Sequence, residues 1–499
     1  MKYFILCFIA LFLSNCSGRA PEKQAEYQYI NDLKDKRMAV LMGSAAELRL
    51  NQRFPDMQMD RFETEADMIQ ALKQNRCDAV GLDGYAAHFL NTETKAGLAN
   101  LDDALDTMSL AAAFPKGKNR ELREQFNAFL KVIKAEGTHA KMVDQWINHT
   151  EDAQMPDLKM PTTGEPIEVG VCLTLPPTSF LLGRNPVGLD IELIKRFSLY
   201  INRPIKLTSL NFGALITSLT TNKIDMVLSS LSITEERLES IDFSDSYLDY
   251  ALVVMVRQSE KKGYVPSANA NTAEEDQPWI DDIEDSFHNN LIKEQRYEMV
   301  VNGLKITMII AFFSAICGTI LGAFICFLRM RKSPFFQKIA IVYISVMRGT
   351  PVLVLLLIMF YVVFNQVDID PVIVSVITFS LNFSAYVSEM FRSAIEGIDH
   401  GQTEAGVALG FSKLRTFYHI IMPQAFKQVL PVYKGEMISM VKMTSIVGYI
   451  AVEDLTKVSD IIRSRTFDAL FPLVMVAILY FIIAWLFATI LDLIGRRFR

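Results

Sequence analysis

The sequence predicts an α/β half made for export, followed by an all-α half that crosses a membrane five times. Three observations carry this expectation. Most carboxylates of the chain lie before residue 290, whereas the long apolar runs come after residue 300. A hydrophobic share of 51% and a mean hydropathy of +0.22 are high for a soluble protein, so the asymmetry separates a polar half from a membrane half. A short apolar run opens the chain in the manner of an export signal.

That opening reads Lys2, an apolar run over 3–13, then Ser14-Asn15-Cys16. The run is too short to span a bilayer. Leu13-Ser14-Asn15-Cys16 resembles a bacterial lipoprotein cleavage box, with Asn15 departing from the usual small residue. Residues 1–16 are therefore an export signal, with lipidation at Cys16, plain cleavage or a retained anchor as the three readings. Each places the next segment outside the cytoplasm. The cysteines beyond the leader, Cys77, Cys172, Cys317 and Cys326, show no metal-ligand spacing and read as packing residues. A net charge of −6 without a basic, aromatic-interleaved stripe gives no sign of a nucleic-acid partner.

Residues 37–147 alternate strands and helices. Met38-Ala39-Val40-Leu41-Met42 is a strand that ends at Gly43-Ser44, where a following helix leaves backbone N–H groups free for an anion. Ala66 to Leu72 has helical apolar spacing, and Cys77-Asp78-Ala79-Val80-Gly81-Leu82-Asp83 is a strand with a carboxylate at its C-terminal end. In open α/β sheets that end faces the ligand crevice. Two amphipathic helices around Gly137 close this part. Residues 167–257 alternate in the same way without repeating the sequence. They run from a strand at Ile167 through turn-rich Pro176-Pro177-Thr178-Ser179-Phe180 and a helix over 188–197 to a strand at Asp225-Met226-Val227-Leu228.

The run from Asp225 through Ser230, Ser232 and Arg237, with Asp242 to Tyr247, resembles the first lobe of the periplasmic amino-acid-binding proteins. Asp32-Leu33-Lys34, Gly43-Ser44, Asp78-Ala79, Asp83, Phe114-Pro115-Lys116-Gly117 and Trp146 resemble the second lobe and its C-terminal helices. The lobe order is reversed. The resemblance thus implies a circularly permuted clamshell, with the old ends joined through 149–165 and the new ends near Asn31 and Ser259. A truncated tandem, or lobes that pair between two chains, are the alternatives. The expected domains are 26–150 for the second lobe, 151–165 for a linker, 166–260 for the first lobe and 261–298 for a second linker.

By the same resemblance the ligand is an amino acid. Its two charges need partners once removed from water. Arg237 offers a planar fork for the carboxylate, with Ser230 and Ser232 beside it. Asp83 accepts the ammonium, Gly43 and Ser44 add backbone donors, and Phe180 and Phe212 stack on the ligand. The bland readings are that Arg237 caps a turn through Asp242, that Asp83 is a surface strand end, and that both Phe are core. Cys172 stands where relatives that select cationic or amide side chains often carry Asp, and Thr178 stands where many relatives carry Phe, which argues against a basic amino acid.

Five apolar spans follow, over 303–328, 345–364, 370–390, 436–453 and 469–492, each near the about 20 residues needed to cross hydrocarbon. The fourth contains Lys442 and Thr444; a Lys at such depth faces protein or a water-filled path. Arg329, Arg331 and Lys332, and Arg496, Arg497 and Arg499, put the end of span one and the C-terminus in the cytoplasm, while 365–370 lacks Lys and Arg and faces outward. Between spans three and four stand Gly401-Gln402-Thr403-Glu404-Ala405-Gly406-Val407-Ala408-Leu409-Gly410 and Ile420-Ile421-Met422-Pro423-Gln424-Ala425. With Arg348-Gly349-Thr350-Pro351, Ala385-Tyr386 with Glu389 and Arg392, and Lys442-Met443-Thr444-Ser445, they resemble the permeases of ATP-binding-cassette importers, polar amino-acid branch. Gly406 replaces the usual Ala and Met422 a usual Leu.

Together the resemblances imply an α/β two-lobed periplasmic-binding-protein clamshell followed by an all-α five-helix transmembrane permease domain over 299–499. Glu404, Ala405, Gly406, Gly410 and Pro423 would form the loop that couples to the motor. The sequence carries no phosphate loop ending in Gly-Lys-Ser/Thr, no catalytic triad and no metal cluster. ATP and Mg are thus expected on a separate cytoplasmic ATPase dimer, and the chain itself is no enzyme. A second permease subunit, expected as a homodimer, the amino acid and the bilayer complete the partners. The location is the bacterial cytoplasmic membrane. A ligand-gated channel would need a selectivity-filter loop, and a transmembrane sensor a cytoplasmic signalling domain; neither is legible.

Overall fold

The computed structural model describes residues 26–93, 97–263, 284–365, 367, 369–466, 468 and 470–496. The leader with Cys16, most of the second linker, and Arg497 and Arg499 lie outside the described residues.

Strands β1 (Arg37–Leu41), β2 (Gln58–Phe62), β3 (Ala79–Asp83), β4 (Leu98–Asn100), β5 (Asp106–Pro115), β6 (Ile167–Val171), β10 (Ile205–Ser209), β11 (Met226–Val227) and β12 (Ile241–Arg257) form one sheet in the order β10-β6-β11-β5-β12-β3-β1-β2, with β4 on β12. The strands β7 (Thr174–Leu175), β8 (Ser179–Leu182) and β9 (Asn185–Val187) make a small antiparallel ribbon. The long antiparallel pair β5–β12 runs from Ile241↔Pro115 to Leu252↔Asp106. One end of β5 pairs with β11 through Ala113, and the other end of β12 pairs with β3 through Leu252 to Met255. The pair therefore passes from one lobe into the other, and the register shifts between Phe243 and Leu248 mark where it bends.

Helices pack on both lobes: α1 (Ala45–Arg53), α2 (Glu65–Lys73) and α3 (Gly84–Glu93) on one; α4 (Arg120–Ala135) and α5 (Thr138–Val143) after the crossing; α6 (Leu189–Ile201), α7 (Leu215–Thr220) and α8 (Glu235–Ser240) on the other. Ser44, Thr64 and Thr234 cap α1, α2 and α8 with their side-chain oxygens. Trp146 is buried and donates to Glu192 of α6 at 2.7 Å, tying the C-terminal helices of one lobe to the other lobe. The ends of the α/β half lie side by side: Tyr27 bridges Lys261, with Tyr27 N–H on the Glu260 carbonyl at 2.7 Å.

The helical half comprises α9 (Tyr297–Met330), α10 (Pro334–Gly349), α11 (Val352–Ile358), α12 (Pro371–Glu396), α13 (His400–Ala408), α14 (Lys413–Thr416), α15 (Met422–Met443), α16 (Leu455–Thr466) and α17 (Leu470–Arg496). Three of these, α9, α12 and α17, are long and apolar enough to cross a membrane, or up to five spans if two bent pairs count as one each. The expected second span, 345–364, is not one straight helix. It straddles a break at Thr350-Pro351, where α10 and the segment starting at Val352 meet at 106°. Pro351 lacks an N–H and forces the residue before it out of the helical region; Thr350 is extended, at φ −103 and ψ 131. The expected fourth span, 436–453, likewise starts in α15, tightens over Thr444–Ile450 and stops at Ala451, whose φ is +64. Gly318 and Gly322 let α9 lie against α12: a Cβ on either would sit about 3 Å from Phe383 or Val387.

Candidate functional site

The crevice between the lobes is built from strand ends. β1 delivers Gly43 and Ser44, β3 delivers Asp83, and the turn after β11 delivers Ser230 and Ser232 before α8 presents Arg237 in its first turn. Ser230 takes a left-handed conformation, φ +50, which costs a non-glycine residue about 1–3 kcal/mol unless its surroundings hold it. They do. The buried Asp190 carboxylate accepts from Ser230 N–H at 2.9 Å and from the Tyr247 hydroxyl at 2.8 Å, and Thr178 Oγ1 lies 2.5 Å from Ser230 Oγ. Gly188 permits this arrangement: its φ is +119, and a Cβ there would clash with the Thr178 carbonyl.

Arg237 joins the lobes. Its guanidinium donates to the Ser232 carbonyl on its own lobe and to the Gly43 carbonyl on the other, each at 2.7 Å, and lies over the Phe212 ring at 5.9 Å. The alternative reading, a cap on Asp242, is not what the side chain does. Asp242 takes the Gly117 N–H at 2.9 Å, Arg123 at 3.2 Å and Lys116 at 3.4 Å. Asp83 is no surface strand end either. It accepts from the Tyr85 hydroxyl at 2.5 Å, and burial raises its pKa to about 6 against the opposing pull of the Tyr85 and Tyr250 hydroxyls and Arg237. Arg237 is itself pulled down by burial and held up by Tyr250 and Asp83.

Leu41, Ser44, Glu65, Asp83, Phe212, Ser230 and Ser232 are among the residues lining a cavity of about 20 Å³ in this crevice. Of the residues expected there, neither Gly43 nor Arg237 lines the cavity; the Gly43 carbonyl accepts from the Arg237 guanidinium instead. Phe180 does not line the cavity. It is buried between Trp146 at 6.2 Å and Phe89 at 6.4 Å, with Arg465 of α16 over it at 5.2 Å. The β7–β8–β9 ribbon turns Phe180 toward the C-terminal helices and away from the strand ends. Cys172 is buried too, its Sγ 3.2 Å from Thr174 Oγ1, and it does not line the cavity. Sequence reasoning misses Glu65, Tyr85 and Tyr250. Tyr85 follows Asp83 by two residues and Tyr250 lies within β12, but nothing in a local pattern aims them at Asp83.

The helical half meets both lobes. Arg463 of α16 bonds Asp67 of α2 and Asp460 of its own helix, and Tyr449 donates to Glu63 at 2.6 Å. On the other lobe Lys457 bonds Asn211, and Tyr361 lies 3.1 Å from Ser218. At the far end α13 and α14 form a hairpin. Asp399 caps α13 through Gly401 N–H at 2.6 Å, Gly410 turns the chain at φ +86, and Ser412 caps α14. Glu404 and Ala405 are exposed on α13, Gly406 is buried against Thr416, and Pro423 sits in the first turn of α15. Leu409, at 77% exposure, Leu414, Phe411 and Val407 make the tip apolar.

Residues 167–333 match the bacterial extracellular solute-binding proteins, family 3, and residues 303–499 match the binding-protein-dependent transport system inner membrane component. The chain is 32% identical over 211 residues to the probable amino-acid ABC transporter permease protein YckA of Bacillus subtilis (strain 168), covering 42% of this chain and 93% of that one. It is 35% identical over 211 residues to the L-cystine transport system permease protein TcyB of the same organism, covering 42% of this chain and 90% of that one. A crystal structure of an amino acid ABC transporter with histidines is similar at 34% identity and a TM-score of 0.38, over 40% of this chain and 94% of that one. The chain belongs to the inner-membrane permeases of the amino-acid ABC importers, and it carries a solute-binding domain in the same polypeptide.

Proposed function

We propose that residues 26–260 form one circularly permuted clamshell that catches an amino acid outside the cytoplasmic membrane and hands it to the permease of the same chain. The observation that carries this reading is that Arg237, bonded to the Gly43 carbonyl of the opposite lobe, stands close enough to Asp83 for each to act on the other's charge, beside the cavity that Asp83 lines. Arg237 takes the ligand carboxylate, Asp83 the ammonium, and Ser44, Ser230 and Ser232 supply the neutral partners. The Tyr27–Lys261 bridge and the joining segment 149–165 support the permuted order. A cavity of about 20 Å³ holds about one water. The ligand therefore enters when the lobes part, which breaks the Arg237–Gly43 bond, and it closes them again on binding. In this closed arrangement α16 contacts Asp67 of one lobe and Asn211 of the other, which supports a permease that docks on both lobes at once.

On this reading the second and fourth spans are the bent pairs, the C-terminus is cytoplasmic, and two copies of the chain form the path. The α13–α14 hairpin fits a cleft on a cytoplasmic ATPase dimer that holds ATP and Mg; its apolar tip supports this docking. Titrating the full-length chain in lipid nanodiscs with each common amino acid tests the capture step. Saturable binding of one chemical class is expected, and binding of none would sink it. A Cys placed at Gly410 should cross-link to the co-expressed ATPase; no adduct in any nucleotide state would count against the hairpin.

Docking has its own test. Arg463→Ala leaves Asp67 and Asp460 without their shared cation. That costs about 1–3 kcal/mol at a partly exposed ion pair and is expected to lower the uptake rate at least about five-fold. Amino-acid affinity should stay unchanged. Parallel loss of affinity and uptake would contradict the docking role.

A further inference from the structure

The crevice holds one carboxyl group more than the backbone of an amino acid can use. Glu65 opens α2 behind its cap Thr64, is only 7% exposed, and lines the cavity with Asp83, Ser44 and Tyr85. Among the described residues its carboxylate has no hydrogen-bond or ion-pair partner; burial and the nearby Asp83 charge are what act on it. The neighbouring acids on the same segment are engaged elsewhere, Glu63 with Tyr449 and Asp67 with Arg463.

We propose that the amino acid carried by this chain has a cationic side chain, an ammonium, guanidinium or imidazolium, and that Glu65 is its counter-ion. The inference rests on the reading that Arg237 and Asp83 hold the α-carboxylate and α-ammonium. With those two charges matched, an apolar side chain leaves the buried Glu65 carboxyl without a partner, and an acidic one adds repulsion once Glu65 ionises. A cationic side chain neutralises it and gains a charge-assisted hydrogen bond. Cys172 and Thr178 argue in sequence against a basic ligand, but Cys172 lies outside the cavity. The acid comes from the opposite lobe.

Burial, then Asp83, push the Glu65 pKa up to about 8 in the closed crevice. Of the other titratable groups, Asp83 on β3 and Tyr85 on α3 line the cavity, while Tyr250 on β12 and Arg237 on α8 act on Asp83 without lining it. A Glu65 that is protonated below about pH 8 must release its proton to pair with a cation. Affinity for a cationic ligand therefore rises as pH rises toward that value, by up to about tenfold per unit.

Calorimetric titration of the full-length chain in nanodiscs with arginine, lysine, histidine, glutamine, glutamate and leucine tests this. At least one cationic amino acid should bind about tenfold or more tighter than the others. Glu65→Gln should weaken that binding about 10- to 100-fold, flatten its pH dependence, and narrow the advantage of the cation over glutamine and leucine. Glu65→Asp should keep the preference for cations at lower affinity, which separates lost charge from lost fold. A wild type that prefers glutamine, glutamate or leucine, or a Glu65→Gln variant that binds the cation unchanged, overturns the proposal while amino-acid capture stands. If no amino acid binds, the roles of Arg237 and Asp83 fall with it.

Discussion

Arg237→Ala is expected to weaken amino-acid binding by about 2–5 kcal/mol, or about 30- to several-thousand-fold, the range seen when one partner of a buried, hydrogen-bonded charge pair is truncated. Two losses add. The ligand carboxylate is left in a desolvated crevice without a cation, and the Ser232 and Gly43 carbonyls lose the donor that joins them across the lobes at 2.7 Å each. The second loss also makes the closed form less favourable, so the deficit should exceed that of a variant that keeps the charge. Arg237→Lys supplies a point charge but not the fork that reaches two carbonyls at once, and it should fall between wild type and Ala. Titration calorimetry on the full-length chain reads both, with a thermal melt to confirm that the lobes remain folded. An unchanged affinity in Arg237→Ala would mean that the carboxylate is bound elsewhere and would undo the assignment of the crevice.

Why some of this crevice is legible in the sequence and some is not follows from which interactions are local. Gly43-Ser44 and Asp83 sit at the ends of short apolar strands, and strand ends declare themselves in the pattern. The side chains that complete the site do not. Glu65 follows a capping Thr and precedes Asp67, which reads as the ordinary acidic first turn of a solvated helix. It is a buried carboxylate where the first lobe, through Phe212, Ser230 and Ser232, lines the same cavity. Tyr250 reaches Asp83 because β12 pairs with β3 across more than 160 residues of chain, and no local period reports such a pairing. Phe180 departs from expectation for the complementary reason. A turn-rich strand start suggests the crevice, yet its ribbon carries it to Trp146 and Arg465, a contact that depends on the permease being in place. In the helical half apolar length locates the spans, while the bend at Thr350-Pro351 depends on one proline that hydropathy does not weigh.

The α13–α14 hairpin should show the opposite phenotype to Arg237, intact capture without transport. Gly406 is where the two arms touch: a Cβ there would lie 2.5 Å from Thr416 Cγ2, 2.9 Å from its Oγ1 and 3.0 Å from Ile420 Cδ1. Ala can be taken up by a small shift of the Thr416 side chain, which fits the family's use of Ala at this position. Leu cannot. Gly406→Leu forces the arms apart, an overpacking cost of about 1–3 kcal/mol, and the cheapest relief is to splay the hairpin at Gly410, where φ +86 already makes the turn soft and nothing crowds a side chain. Splaying redirects Leu409 and Leu414, the exposed apolar tip, away from any cleft shaped for them. Reconstituted with its ATPase, Gly406→Leu is therefore expected to lose at least about tenfold in ATP-driven uptake, the equivalent of about 1.4 kcal/mol of coupling. It should keep the wild-type amino-acid affinity, because the crevice lies at the other end of the molecule and shares no contact with the hairpin. Gly406→Ala should retain most of the uptake. If Gly406→Leu transports normally, the hairpin is not what carries the motor's movement to the membrane helices. If it loses affinity in step with uptake, the two ends of the chain are one cooperative unit, and capture cannot be separated from the machinery that follows it.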